Sequence, residues 1–228
     1  MRRNSMKIVA TSIEDCEIDI EKLLTFVSIE RQEKTIKLRN RQDRILSIFS
    51  ELMVRYYLLR LWGLLIEDIV ILKNNYNKPF LPEFPAYHFN VSHSGKWIVA
   101  VFDDRPVGID IERVVPIDIT IVDHFLSKSE VEKLRDQPAD QMLVYFYKLW
   151  TVKESYIKAK GMGLSISLNS FSVEITNSVV LFHSLTDAED WRFRQYFIGN
   201  DYEMAVCSLN SKFPDSIEII KWKQLLEH

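Results

Sequence analysis

Two acids stand one residue apart in the apolar stretch VGIDIE, Val107 to Glu112. In a strand, side chains alternate between faces, so Val107, Ile109 and Ile111 share one side and Gly108, Asp110 and Glu112 the other. One reading is a half-exposed strand with its polar side in water, the ordinary place for acids. The other is a pair of hard oxygen ligands for a divalent cation such as Mg²⁺, which takes carboxylates together with waters and phosphates. Gly108 on the same face would leave room for a ligand.

A third acid comes from DQMLVYFYKLWTVKESYIKAKGMGLS, where Leu143, Tyr147, Trp150, Glu154, Ile157 and Lys158 recur at helical spacing. Glu154 and Lys158 occupy places where the stripe calls for apolar groups. They form either an ordinary i,i+4 pair of about 0.3–0.5 kcal/mol or part of a charged centre. Three acids brought together repel, each pair by about 4 kcal/mol at ~4 Å and an effective dielectric of roughly 20, so they call for a cation. HFNVSHSGKW, read as a polar loop, adds hydroxyls, a ring N–H and backbone amides at Ser92, His93, Ser94, Gly95 and Lys96, the kind of donors that hold phosphate oxygens. A lone loop histidine is equally an ordinary surface residue, and no P-loop or G-x-G-x-x-G occurs.

The elements that must carry these groups are legible in outline. Residues 42–65 place Ile45, Phe49, Leu52, Met53, Tyr56, Leu59 and Trp62 on one helical face, which predicts a core helix. NNYNKPFLP ends that helical first third. WIVAVF, the turn DDRP and VGIDIE read as a hairpin. Ser127 followed by Glu130 marks a helix start by a capping box, and a longer helix runs from about Asp140 to Lys160, stopping at GMG. FSVEI and YEMAVCSL return to strands, giving an α+β protein. Arg31, Lys34, Lys37, Arg39 and Arg41 are by default a solvated helical face.

Composition narrows the class. With 228 residues, 47% hydrophobic content and a formal net charge of −3, the chain suits a globular protein and announces no nucleic-acid or anionic-membrane partner. Cys16 and Cys207 lie far apart without metal-ligand spacing, which fits a reducing cytoplasm. The first residues lack the apolar run of a signal peptide, and Arg60, Glu67 and Asp68 interrupt Leu58 to Leu72, so that stretch does not span a bilayer.

NKPFLP, FNVSHSGKW, VGIDIE and WTVKESYIKAKGMGLS, in this order and at these separations, resemble the large (surfactin-synthetase-activating type) 4′-phosphopantetheinyl transferases over nearly the whole chain. The resemblance implies a pseudo-twofold monomer of two similar α+β lobes, here 1–106 and 107–228. It implies transfer of the phosphopantetheine arm of coenzyme A to a serine of an apo carrier protein domain, with release of adenosine 3′,5′-bisphosphate. It makes Asp110, Glu112 and Glu154 the Mg²⁺ ligands and Glu154 also a candidate base. Lys153 and Lys158 would meet the pyrophosphate, with Lys158 stabilising charge on the leaving phosphate. Ser92 and His93 match coenzyme A contacts, and Lys78, Arg31 and Lys34 would hold the adenosine end and its 3′-phosphate.

Three departures from the family pattern bear on that end. Asn77 stands where the family commonly has Gly before Lys-Pro, Leu46 where it often has Arg, so that one nucleotide contact is either missing or supplied by Arg44, and Arg31 where it has Lys. For the carrier, the resemblance offers Ile119, Ile121, Val122 and Phe125 as a docking surface or, equally, as core. Met1 to Ser5 read as a dispensable extension before the family-like start at Met6. Two other classes stay open on the residues alone: a Mg²⁺-dependent phosphodiesterase or nuclease, and a non-catalytic carrier-binding module.

Overall fold

The computed structural model describes residues 6–14, 17, 19–65, 68–176 and 179–227. The extension Met1 to Ser5 and Cys16 fall outside them. The first half contains β1 (Lys7–Ser12), the short helix α1 (Ile20–Leu24), α2 (Ile29–Ile36), α3 (Arg41–Trp62), the two-residue strands β2 (Leu72–Lys73) and β3 (Pro79–Phe80), and β4 (His88–Ser94) and β5 (Trp97–Asp103). The second contains β6 (Val107–Arg113), α4 (Lys128–Arg135), α5 (Ala139–Lys160), β7 (Phe171–Thr176), β8 (Val179–Ser184), β9 (Arg192–Tyr196), β10 (Tyr202–Ser208) and β11 (Glu218–Lys221). The expected core helix is α3, the capping box at Ser127 opens α4, and Gly161 ends α5 in the left-handed conformation at φ +69°.

Two sheets organise these elements. One runs β11-β1-β5-β4, the other β6-β10-β9. The inner faces meet through Ile8, Ala10, Val99 and Val101 on one side and Val107, Ile109, Ile111, Met204 and Val206 on the other. The outer face of the first sheet is covered by α3 through Phe49, Met53 and Tyr57, and that of the second by α5 through Leu149, Val152 and Tyr156. The order is therefore helix, sheet, sheet, helix: two similar α+β halves back to back, as the resemblance implies.

The expected hairpin of WIVAVF with VGIDIE does not form. β5 already lies between β1 and β4, so both its edges are used and none is left for β6. The segment between β5 and β6 instead carries the chain into the second sheet, where β6 pairs antiparallel with β10. The hairpin that does form is β4–β5, and the supposed polar loop HFNVSHSGKW is its first strand and turn. Gly95 takes the first of the two loop positions at φ +55°, as a two-residue hairpin turn requires.

Gly108 also has a different task from the one expected. A Cβ there would lie 2.1 Å from the Ser155 carbonyl oxygen and 2.4 Å from the Ala159 amide nitrogen, both backbone atoms of α5. Its missing side chain admits the helix, not a ligand. Gly108→Ala is therefore expected to force β6 and α5 apart and to cost about 3 kcal/mol, read as a lower urea midpoint without a change in slope; a wild-type midpoint would show that the contact is not close.

Candidate active site

The site is built on a seam between the sheets. β4 and β6 are the facing edges of different sheets, and side chains of β4 replace the missing backbone ladder. Asn90 Oδ1 accepts from the Ile109 N–H at 2.9 Å, Ser92 Oγ donates to Asp110 Oδ1 at 3.0 Å, and Ser94 Oγ donates to Glu112 Oε2 and accepts from the Arg113 N–H, each at 3.0 Å. The alternation N-x-S-x-S puts all three on one side of the strand. Asn90 and Ser94 are positioning residues missed as such at the level of sequence, although that alternation was the available signal.

α5 brings the third acid. Trp150, Glu154 and Lys158 follow one another at four-residue spacing on the side of the helix that lines the cleft with Asp110 and Glu112. Lys158 Nζ donates to Asp110 Oδ1 at 2.6 Å and to Ser92 Oγ at 2.9 Å. Asp110 is 3% exposed, far from the half-wet strand face that composition alone would favour. Burial, then the neighbouring Asp110, push the Glu112 carboxyl up to about 7, against the Ser94 hydrogen bond and Lys158. Burial and Asp110 raise Glu154 as well, and Lys158 opposes them.

These acids suit a hard cation. Asp110 Oδ2 is buried and, among the described residues, receives no hydrogen bond, an expense that a buried carboxylate oxygen normally avoids. The donors are all carboxylate oxygens, and three acids face one lysine. Among the described residues no three His, Cys, Asp or Glu side chains lie grouped closely enough to hold a metal ion as they stand; Lys158 supplies the counter-charge at Asp110.

The acids form one end of a cleft of about 740 Å³. Ser92 and His93 line its middle, Phe89, Val91, Phe125 and Trp150 give it apolar walls, and Arg31, Lys34, Arg55 and Lys73 line the other end. Partial loss of hydration and the nearby Lys158 hold the His93 ring below its usual pKa. Burial, Arg31 and Lys73 lower Lys34. The expected solvated face of α2 is thus partly a cleft wall, with Arg31 bonded to the buried Glu51 at 3.1 Å.

Two expectations need correction, and two open alternatives are decided. Lys153 does not reach the cleft: it is 1% exposed on another side of α5, with Nζ at 2.7 and 2.8 Å from the Glu130 carboxylate oxygens and 2.9 Å from the Phe171 carbonyl oxygen. A residue next to Glu154 in sequence is turned about 100° around the helix, which separates the two. Lys78 also points elsewhere, donating to the carbonyls of Ala159 at 2.7 Å and Val107 at 3.2 Å. There it caps the C-terminal end of α5, where a cation is favoured, and burial lowers its pKa to about 8. Its neighbours Asn77, left-handed at φ +66°, and Pro79 line the cleft instead. Of the open alternatives, Arg44 is committed to the carbonyls of Leu38 and Ile36, and Val122 takes the core reading at 3% exposure.

A two-sheet fold that brings Asp110, Glu112 and Glu154 into one cleft with Arg31, Lys34, Arg55 and Lys73 offers a ligand both acidic and basic groups. The comparisons give that arrangement its family. The family model of the 4′-phosphopantetheinyl transferase superfamily matches residues 106–207, and that of the 4′-phosphopantetheinyl transferase N-terminal region matches 14–104. The Bacillus subtilis (strain 168) 4′-phosphopantetheinyl transferase Sfp is 36% identical over 90% of this chain and 92% of its own length. The Bacillus pumilus 4′-phosphopantetheinyl transferase psf-1 is 34% identical over 97% of both chains, and the Aneurinibacillus migulanus 4′-phosphopantetheinyl transferase gsp is 36% identical over 81% of this chain and 77% of its own. The chain belongs to the 4′-phosphopantetheinyl transferase family.

Lys153 gives a direct test of this geometry. Lys153→Met leaves Glu130 charged and unpaired in the core and is expected to cost about 3–5 kcal/mol in urea unfolding, while the folded fraction binds coenzyme A as wild type does. Weakened binding at unchanged stability would return Lys153 to the cleft.

Proposed function

We propose that the protein transfers the 4′-phosphopantetheine group of coenzyme A to a serine hydroxyl of an apo carrier protein domain, giving the holo carrier and adenosine 3′,5′-bisphosphate. The single observation that carries this reading is the bipolar cleft, in which Arg31 and Lys34 face Asp110, Glu112 and Glu154 across a walled space. The family supplies the chemistry and the cleft supplies a place for each end of the substrate.

Asp110, Glu112 and Glu154 would hold Mg²⁺. The ion, when bound, offsets charge between the carboxylates and the diphosphate and polarises the phosphoryl oxygens. Arg31 and Lys34 bind the adenosine end and its 3′-phosphate, and Ser92 and His93 contact the middle of the cofactor. Glu154, with its raised proton affinity, takes the proton of the carrier serine as its Oγ attacks the phosphorus bearing the pantetheine. The phosphorus–oxygen bond to adenosine 3′,5′-bisphosphate breaks, and Lys158 stabilises the charge that develops there. Lys158 is well placed for this, since it already lies against Ser92 and Asp110.

The reading includes docking of the carrier beside β6. Ile121 is 41% exposed and Phe125 lines the cleft, which supports these two as contacts; the Ile119 side chain lies outside the described residues. It also includes a monomer with lobes 1–106 and 107–228; the change of sheet between β5 and β6 supports the boundary at 106, whereas β11 returns to pair with β1 and Ile220 and Leu225 pack in the first core. A cytoplasmic setting, where coenzyme A and carrier domains meet, belongs to the same reading.

The test is mass spectrometry of apo carriers from fatty-acid and peptide synthases incubated with the protein, coenzyme A and Mg²⁺. The phosphopantetheine mass is expected on the carrier serine and is expected to vanish with EDTA; unmodified serine across the panel would refute the reading. Glu154→Gln is expected to lower kcat at least ~100-fold with the fold intact, within the range for loss of a general base. Lys158→Ala is expected to lower kcat more than it weakens coenzyme A binding, and near-normal turnover in either variant would remove its role.

A further inference from the structure

Among the residues of the cationic end that no part of the reaction uses is a buried acid. Glu51 sits in the middle of α3, 6% exposed, and its two oxygens take four hydrogen bonds. Oε1 accepts from the Ser28 N–H at 2.9 Å and from Arg55 Nε at 2.8 Å; Oε2 accepts from Ser28 Oγ at 3.1 Å and from Arg31 Nε at 3.1 Å. Ser28 is the N-cap of α2, and its Oγ in turn accepts from the Arg31 N–H. Arg31 Nη1 donates to Ser47 Oγ, one turn before Glu51 on α3, at 3.3 Å. Among the described residues no acceptor takes Nη2.

A buried carboxylate in a helix interior is retained only where its charge and lone pairs are answered. Here one acid answers two guanidinium groups and the first turn of α2 at once. Four cations, Arg31, Lys34, Arg55 and Lys73, line this end of the cleft against two acids, Glu30 and Glu51. Glu30 is exposed and pairs with Lys73, so Glu51 is the fixed counter-charge. Without it, Arg31 and Arg55 repel across a partly desolvated wall, and the long Arg31 side chain loses the acceptor at its Nε that helps to select one rotamer.

We infer that Glu51 is a positioning residue for the substrate: it holds the Arg31 guanidinium in the orientation in which its outer nitrogen meets the terminal phosphate of coenzyme A. This rests on the proposed transferase reading and acts through Arg31, without touching the reacting atoms.

Isothermal titration of coenzyme A and of dephospho-coenzyme A into wild type, Glu51→Gln, Glu51→Asp, Arg31→Ala and the E51Q/R31A pair tests it. E51Q is expected to weaken coenzyme A about tenfold, the scale of one charge-assisted hydrogen bond, and dephospho-coenzyme A by less than about twofold, because that ligand lacks the group Arg31 would meet. E51D, which keeps the charge but draws it back by one methylene, is expected to show the same selectivity at about threefold. The double variant is expected to bind coenzyme A within about twofold of R31A alone, since the two residues share one effect. In turnover, KM for coenzyme A rises while kcat at saturation stays within about threefold. Equal weakening of both ligands would mark a loosened fold and overturn the inference, as would wild-type affinity in E51Q. Should E51Q not fold, wild-type affinity of E51D for both ligands overturns it. Failure of the wild type itself to bind coenzyme A would instead strike the transferase reading.

Discussion

The seam between β4 and β6 is the constraint on which the rest depends. Two sheets that pack back to back place their edge strands side by side without a shared ladder, and the backbone groups at that line still need partners. Asn90 and Ser94 provide them for the N–H groups of Ile109 and Arg113, while Ser92 and Ser94 fix the position of the Asp110 and Glu112 carboxylates. The same bonds that join the two halves of the molecule therefore orient the acids. Ser92 is central because it donates to Asp110 and accepts from Lys158, tying the first sheet, the second sheet and α5 at one oxygen. The close approach of α5 to β6 at Gly108 completes this arrangement.

Buried charge is handled differently at three places in the molecule. In the core of the second half, Lys153 and Glu130 satisfy one another fully, and Glu130 also accepts from the Val173 N–H at 2.8 Å. At the cationic end of the cleft, one acid serves two arginines. At the acidic end, the balance is left open: three carboxylates share one lysine, an Asp110 oxygen lacks a donor, and Glu112 and Glu154 are driven toward their neutral forms. Structural pairs are closed, whereas the site retains unmet electrostatic demand that a ligand can answer.

Much of the local architecture was legible. The helix of Ile45 to Trp62, the Ser127 capping box and the stop at Gly161 rest on short-range signals and formed as read, although α3 also buries Ile48, Val54, Tyr57 and Leu58 beyond the expected stripe and leaves Leu59 partly exposed. The pairing of strands was not. WIVAVF and VGIDIE are adjacent in sequence and separated by a turn, yet the edge of β5 was already taken by β4, a competitor that periodicity does not rank. Lys153 and Lys78 failed for a related reason. Both are basic residues inside motif segments, but the side of the helix and the reach of a four-carbon stem decide where the ammonium goes, and both found carbonyl or carboxylate partners in the interior.

The sequence by itself determined which residues could make the chemistry and on which local elements they lie, because alternation in a strand and four-residue spacing in a helix are properties of the chain alone. It placed Asp110 and Glu112 on one face and Glu154 and Lys158 on one stripe. Only the tertiary structure decided that these two surfaces meet, that a serine from a third element, β4, joins them, and that Arg31 and Lys34 line the opposite end of the same cleft. The physical reason is that burial and like-charge proximity arise between segments distant in sequence, where the packing of two sheets, not local propensity, sets every distance.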